Sequence, residues 1–419
     1  ITLYRTRGQC NPVGNIHILR IDRNRHCSSP RIPPKPGFSY HQRMNPGIFT
    51  AQASGDSVAE ALSALSQATE DWDSEFVLLL HGPDYIGEEL ENALQPLPAQ
   101  FYGCSTSGEI SPAGYTENTL VALGFERNAF TCVPRRIEGL KSFGFQQARD
   151  LVPAMKRELS QRAPNADPGN TFALLLIDST SLAEEFVAAA LGSELGNVPL
   201  VGGSSGDNWQ LGATPVLYEG QSFNDSAVLL LVHSRLPFRH YNFHNFVHTD
   251  QRGVITSATA AERLVHEING APASTEFARM CGLPPEEIDR KHLALHPAII
   301  TVGERAYPRG FAELLEDGSM RCACAIDEGV VFRVAAQIDY LDHLASSLQG
   351  IREDLGASLL LLGMECAARR QMVEQQEVAS EVAALFEAFN VWGFSCMGEQ
   401  ANSLNMNKSF NCIAFALPQ

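Results

Sequence analysis

Apolar and polar positions along this chain follow two periods, near 3.6 and near 2, which alternate from one segment to the next. SVAEALSALSQATE (57–70) sets Val58, Leu62 and Leu65 near one face at helical spacing. FVLLLHG (76–82) is a short apolar run stopped by glycine, the pattern of a buried strand, and TLVALGFE (119–126) and AFTCVPRRIEGL (129–140) read as further strands. QARDLVPAMKRELSQRA (147–163) predicts a helix started or interrupted near Pro153. TFALLLIDST (171–180) predicts a buried strand, and SLAEEFVAAALGSELG (181–196) a helix capped within Ser179–Ser181. PLVGGSSGD, TPVLYEG and DSAVLLLVH return to strand. Further on, SATAAERLVHEING (257–270) predicts a helix stopped by Gly270, and VVFRVAA and ASLLLLG predict strands. QMVEQQEVASEVAALFEAFN (371–390) predicts one long amphipathic helix, and SFNCIAFAL a closing strand. Strands interleaved with helices in this way predict a mixed α/β (α+β) fold, with mixed β-sheets flanked by helices.

The 419 residues, 44% of them hydrophobic and 19% charged, hold enough apolar mass for two or three domains. Residues 1–43 stand apart. They carry eight Lys/Arg against Asp22 alone, a charge of +7, which leaves −24 of the total −17 on the remainder. Rich in Pro, Arg and Ser and without apolar periodicity, they read as a flexible or non-native extension. The acidic remainder argues against nucleic acid and against an anionic membrane surface as partners. No apolar run reaches the length of a spanning helix, and the first residues do not resemble a secretory signal. Ten scattered cysteines without a C-x-x-C read as reduced thiols of a cytoplasmic protein.

RHYNFHNFVHTD (239–250) holds His240, His244 and His248 at a spacing of four. On a helix they would stack on one face and suit a zinc ion. Tyr241, Phe243, Phe246 and Val247 favour a strand instead, and Asn242 and Asn245 are poor helix formers. On one strand the histidines share a face about 13 Å apart and cannot share one ion. A haem needs a single axial histidine in an apolar, aromatic setting.

YGCSTSGEI (102–110) and WGFSCMGEQ (392–400) are alike: Gly103, Ser105, Gly108 and Glu109 answer to Gly393, Ser395, Gly398 and Glu399. VGGSSGDN (201–208), with Gly202, Gly203, Ser204 and Asp207, is a shorter cousin. Such glycines bring backbone close to a ligand or to other backbone. GCSTSGEI, VGGSSGDN and VITSATAAERLVHEINGAPASTEFAR resemble the N-terminal half of FIST domains. HPAIITVGERAYPRGF, DGSMRCACAIDEG, GMECAARR and GFSCMGEQ resemble the C-terminal half. The resemblance runs from about Met44 to the last residue. It implies two related halves, a FIST N-like domain over 44–250 and a FIST C-like domain over 251–419. The second loop departs from the first, with Met397 and Gln400 where the first has Ser107 and Ile110.

The resemblance implies an intracellular sensory protein for a small ligand. One branch of the family, the stand-alone nitric-oxide-sensing haemoproteins called NosP, binds haem b and acts on a histidine kinase or a cyclic-di-GMP enzyme. These residues carry no kinase, GGDEF or helix-turn-helix signature, so the expected readout is a separate partner; a homo-oligomer is left open. On that branch His244, with Phe246 two residues along, is the expected haem ligand, His240 and His248 are the fallbacks, and nitric oxide or another diatomic gas is the signal. The alternative is a haem-free sensor of a metabolite such as an amino acid. Its pocket would use the loops with Gly103, Cys104, Ser105, Gly108, Glu109, Gly202, Gly203, Ser204, Asp207, Gly393, Gly398 and Glu399, and Arg309 or Arg369 would meet the carboxylate. No nucleophile elbow, P-loop or dinucleotide fingerprint points to an enzyme, and Cys104 is expected to be a neutral, slow-reacting thiol.

Overall fold

The computed structural model describes residues 39–418 apart from Leu211 and Glu304. The basic extension expected at 1–43 lies outside the described residues up to 38. Its last five residues fall in the strand Ser39–Asn45, which pairs antiparallel with Ile48–Ser54.

Mixed sheets flanked by helices form the body, as the patterning predicts, and one unit is repeated three times. Unit I consists of strands Ile48–Ser54, Ser74–His81, Phe101–Ser105 and Leu120–Glu126, with helices Val58–Thr69 and Glu88–Leu94 between the first three. Unit II repeats this with strands Phe130–Glu138, Thr171–Ile177, Leu200–Ser204 and Ser226–Ser234 and helices Phe145–Arg162 and Glu184–Leu195. Unit III does so with strands Phe238–Phe243, Leu359–Cys366, Val391–Cys396 and Phe410–Ala416 and helices Tyr340–Leu355, Ala367–Gln375 and Ala379–Phe389. In each unit the order across the sheet is first, fourth, second, third, and only the second and third strands run parallel.

Between its third and fourth strands each unit emits a short hairpin, and the hairpin joins another unit's sheet. The unit I hairpin (Glu109–Ser111, Gly114–Thr116) pairs with the third strand of unit III. The unit III hairpin (Glu399–Ala401, Leu404–Met406) pairs with that of unit II, and the unit II hairpin (Val216–Tyr218, Gln221–Phe223) with that of unit I. The exchange is cyclic and closes. The inner faces of the three sheets share one apolar core, including Leu78 and Leu80, Leu174 and Leu176, and Leu360 and Leu362. Helices cover each outer face over a core of its own. Alternation explains the continuous apolar runs, since successive residues of each central strand meet the shared core and the helix layer in turn.

An antiparallel eight-stranded sheet, spanning Phe246–Gln337, is inserted in unit III between its first strand and its first helix. It has its own core around Val265, Phe277, Met320 and Phe332. Here the helix expected at 257–270 is corrected. The chain forms the end of strand Phe246–Thr259, a single turn, and strand Leu264–Ile268, with Arg263 at φ 58° between them. Val265 and Ile268 are buried in that sheet, and tertiary packing overrides the helical propensity of the Ala-rich stretch. The single helix expected at 371–390 is likewise two, broken where Glu377 takes φ 57°. Among the described residues no helix is long and apolar enough to cross a membrane.

Candidate functional site

The three loops singled out by their glycines meet one another. Ser107 N–H donates to Ser395 O (2.9 Å) and Ser395 N–H to Gly108 O (2.7 Å). Ser204 N–H donates to Gly398 O (2.8 Å), and Gly206 N–H to Ser105 O (3.0 Å). Gly103, Gly202 and Gly393 sit opposite Leu79, Leu175 and Gly363 on the parallel neighbour strand. A Cβ at these glycines would fall 1.7, 2.1 and 1.8 Å from the facing carbonyl oxygens. Gly203 packs on Phe394, and Gly108 leaves space for the Arg370 guanidinium. The expected ligand-lining loops therefore line each other, because close backbone contact consumes the room the glycines create. The departures at Met397 and Gln400 belong to the same joint: Ser107 Oγ donates to Met397 Sδ (3.5 Å), and Gln400 Nε2 to Ser204 Oγ (2.9 Å).

Glu109 and Glu399 are equivalent and fully buried. Glu109 accepts from Thr106 Oγ1 (2.5 Å), Thr119 N–H (3.0 Å) and Thr119 Oγ1 (2.8 Å); Glu399 accepts from Ser409 N–H (3.1 Å), Ser409 Oγ (2.7 Å) and Cys396 Sγ (3.5 Å). Asp207, in the shorter loop, turns back to accept from Gly212 N–H. Cys104 is fully buried, and burial pushes its thiol well above the usual range, with Glu109 adding to it. Burial raises Glu109 to about 7 and Glu399 to about 8, against the pull of their hydrogen bonds. An unfolded glutamate titrates near about 4.3. Between that value and about 8 the folded protein binds more protons than the unfolded chain, so these groups make stability fall as pH rises. Glu399→Gln has no such proton to lose. The difference between its thermal midpoints at pH 5 and pH 8 is expected to be smaller than in the wild type.

The histidine stretch is not one strand. Phe238–Phe243 ends, residues 244–245 cross out of the core, and Phe246–Thr259 begins the inserted sheet. His240 Nε2 lies 2.6 Å from Asn411 Oδ1, and His248 is exposed opposite Ala335. The shared face expected for the three histidines is thus corrected by a break at the crossing. His244 Nε2–H donates to Ala306 O in the insert (3.1 Å), and Nδ1 accepts weakly from Phe246 N–H (3.4 Å). Burial holds its pKa below the usual value, and the nearby Arg369 charge adds to this.

Asn245 ties the outgoing crossing to the returning one: Ile338 N–H donates to Asn245 O (2.9 Å), and Asn245 Nδ2 to Ile338 O (3.3 Å). Its Oδ1 accepts from Arg369 Nη1 (2.8 Å). Arg369, 1% exposed, donates through Nε to Glu365 Oε1 (3.0 Å), four residues earlier at the end of strand Leu359–Cys366, and lies over the Tyr340 ring (4.7 Å). Tyr340 OH also donates to Glu365 Oε1 (2.8 Å), and Tyr115 OH, from the unit I hairpin, to Oε2. Arg369 Nη2 is buried without a partner, as is His343 Nδ1, whose ring lies tilted against Phe243 with centroids 6.0 Å apart. Burial, then Arg369 and His244, lower His343 to about 4.

The seam between insert and core continues away from these crossings. Arg309 Nη1 donates to Asn405 O (2.6 Å), Lys408 Nζ to Ala294 O (3.0 Å), and Arg263 Nη2 to Glu184 (2.6 Å) and Glu185 (2.9 Å). His244 and Arg369, read from the sequence for different ligands, are thus neighbours at the crossings, while Arg309 serves elsewhere on the seam. Sequence reasoning missed Asn245, Tyr115, Tyr340, His343 and Glu365. Only the Glu365–Arg369 pair left a signal, its i,i+4 spacing at a helix start. Among the described residues no group of three or more His, Cys, Asp or Glu could hold a metal ion.

Residues 75–271 match the FIST N domain, and residues 273–402 match the FIST C domain. The two matches meet within the insert. The chain is also similar to an uncharacterized protein of Methanocaldococcus jannaschii, with 24% identity over 317 residues that cover 70% of this chain and 60% of that protein. The chain spans about three fifths of the length of the relative it matches.

Proposed function

The chain belongs to the FIST family, whose domains are sensory, non-catalytic domains of signal transduction, and from this premise we propose that it senses a small carboxylate metabolite, such as an amino acid, at the two chain crossings between core and insert. One observation carries this reading. The Arg369 guanidinium is fully buried at the crossings and its Nη2 has no partner. A buried unpaired donor costs on the order of 1–3 kcal/mol, and a ligand carboxylate would satisfy it. Reaching Nη2 requires the seam to open, so the ligand favours one arrangement of the insert over another, which is what a sensor needs. The readout passes to a partner such as a histidine kinase or a cyclic-di-GMP enzyme.

A second reading, haem b with nitric oxide as the signal, is favoured by His244. Its imidazole is held uncharged, and its Nε2–H rests on a backbone carbonyl, as the far nitrogen of a metal-bound histidine usually does. Nδ1 is then the nitrogen that would meet the iron. The neighbours Asn245, Arg369 and His343 are more polar than a haem face requires. Bound haem would supply a coordination position for a diatomic gas.

The test is a thermal-shift screen of amino acids and other carboxylates on wild type and Arg369→Lys, beside a haem titration of wild type and His244→Ala. A carboxylate that raises the wild-type midpoint and binds about tenfold more weakly to Arg369→Lys, which lacks the fork, is the expected result. A Soret band that His244→Ala abolishes, with no carboxylate shift, would replace the first reading with the second. Silence in both arms would overturn both.

A further inference from the structure

Away from the crossings, a lysine spans the seam from a position where its two counterparts are an asparagine and an aspartate. At the entry to its fourth strand each unit has a residue whose carbonyl accepts from the end of the second strand: Thr119 from Gly82 N–H, Ser226 from Asp178 N–H and Ser409 from Cys366 N–H. The residue before it is left-handed in all three, with φ 51° at Asn118, 44° at Asp225 and 59° at Lys408. Asn and Asp take that conformation readily, and a lysine has no such preference. Lys408 is 6% exposed, and its Nζ donates to Ala294 O (3.0 Å) in helix Arg290–Leu295 of the insert. Among the described residues that is the one hydrogen bond of its amine, and no carboxylate pairs with it. A buried ammonium without a counter-charge is costly and sheds its proton more readily. Burial lowers the pKa of Lys408 to about 8, against the pull of the Cys366 thiol, so the free amine is well populated at mildly alkaline pH.

Two unpartnered groups stand near this amine. Asn407, 1% exposed, donates through Nδ2 to Met397 O (3.3 Å), but its Oδ1 is buried with no donor. Arg309 holds Asn405 O through Nη1, while its Nε is buried with no acceptor. Gly310, next in the chain to Arg309, packs on both the lysine and the asparagine: a Cβ there would fall 3.1 Å from Lys408 Cε and 3.8 Å from Asn407 Cβ. One acceptor and one donor are thus open around a buried amine, and Nζ as it stands satisfies neither.

We propose that Lys408 is a carbon dioxide site, where the free amine and the gas form a carbamate held by Arg309 Nε and Asn407 Oδ1. The Nζ lone pair attacks the carbon, one C=O electron pair moves onto oxygen, and Nζ gives up a proton to water, so a neutral amine becomes an anion. The adduct supplies what the two groups lack: its oxygens accept from Nε, and its remaining N–H donates to Oδ1. The two hydrogens of the amine fall to one, so the tie to Ala294 in the insert is exchanged for one to Asn407 in the core. Lys408 is enclosed at the seam, which restricts the electrophile to a small uncharged molecule. The proposal does not depend on the Arg369 reading.

For the test, the full chain is equilibrated with carbon dioxide in bicarbonate and treated with a trialkyloxonium salt, which fixes carbamates as alkyl esters, and its peptides are read by mass spectrometry. The ester is expected on Lys408, abundant at about pH 8.5 and at least about tenfold less so at about pH 6, where the amine is protonated. Exposed Lys141 serves as the internal control and should carry at least about tenfold less at either pH. Arg309→Gln is expected to lower the Lys408 adduct about tenfold. Arg369→Lys should leave it unchanged, so failure here and failure at the crossings are told apart. Lys408→Asn, which matches unit I, is expected to fold and to lose the adduct. Absence of the ester from Lys408 in the wild type, equal labelling of Lys141 and Lys408, or an adduct indifferent to Arg309→Gln would each overturn the assignment.

Discussion

Gly103→Ala, Gly202→Ala and Gly393→Ala are each expected to abolish soluble folded protein. The added Cβ would lie 1.7, 2.1 or 1.8 Å from a carbonyl oxygen of the paired strand, where no side-chain movement can relieve it. Relief requires the parallel strands to separate in the middle of a sheet packed on both faces, and the same strands carry the loops that hold the three units together. The cost is expected to exceed about 4 kcal/mol, in the range reserved for severe core disruption. Gly350→Ala is the matched control. Gly350 is exposed within helix Tyr340–Leu355, and a Cβ there meets nothing within 4 Å. It is expected to stabilise the protein by up to about 1 kcal/mol. Soluble yield and urea midpoints of the four variants check this; a well-folded Gly103→Ala would mean that the register of the parallel pair is wrong.

Arg369→Ala is expected to lose about 3–5 kcal/mol of stability in urea unfolding, because it strands the fully buried Glu365 with two tyrosine donors and no cation. It also leaves Asn245 Oδ1 without its guanidinium partner at the crossing. The double variant Glu365→Gln/Arg369→Met should recover part of the loss, since removing both charges ends the uncompensated burial. Arg239→Ala breaks the largely exposed pair with Asp354 and should cost less than about 1 kcal/mol. Similar losses in Arg369→Ala and Arg239→Ala would show that the crossing cluster is open to water.

The central strands were legible because each buries both faces and so reads as an unbroken apolar run, as in Phe76–Leu80 or Leu174–Ile177. The likeness of the glycine loops was also legible, and it reported the repeat. Of the inserted sheet only Val331–Gln337 was, as VVFRVAA: the other strands are largely half exposed and lack an unbroken apolar run, and Ala258 to Arg263 carry the composition of a helix. The strand break at His244 was hidden because Asn245 sits in an alternating aromatic stretch. Only the returning chain at Ile338 and the guanidinium of Arg369 reveal why that asparagine is buried. Tyr115, far away in sequence, reaches Glu365 only through a hairpin that leaves its own unit, and no local pattern encodes such a contact.

The cyclic exchange of hairpins has a consequence for what a smaller version of this chain could be. One unit alone would have an unpaired edge on its third strand and a hairpin with no sheet to join. With a single sequence, both needs are met by a closed ring of three identical copies related by a three-fold axis. Three fused units, one interrupted by the insert, amount to a domain-swapped homotrimer written on one chain. A lone unit freed of the insert should accordingly be sought as a trimer, and the fused chain should unfold in a single transition, because no third of it is complete without the other two.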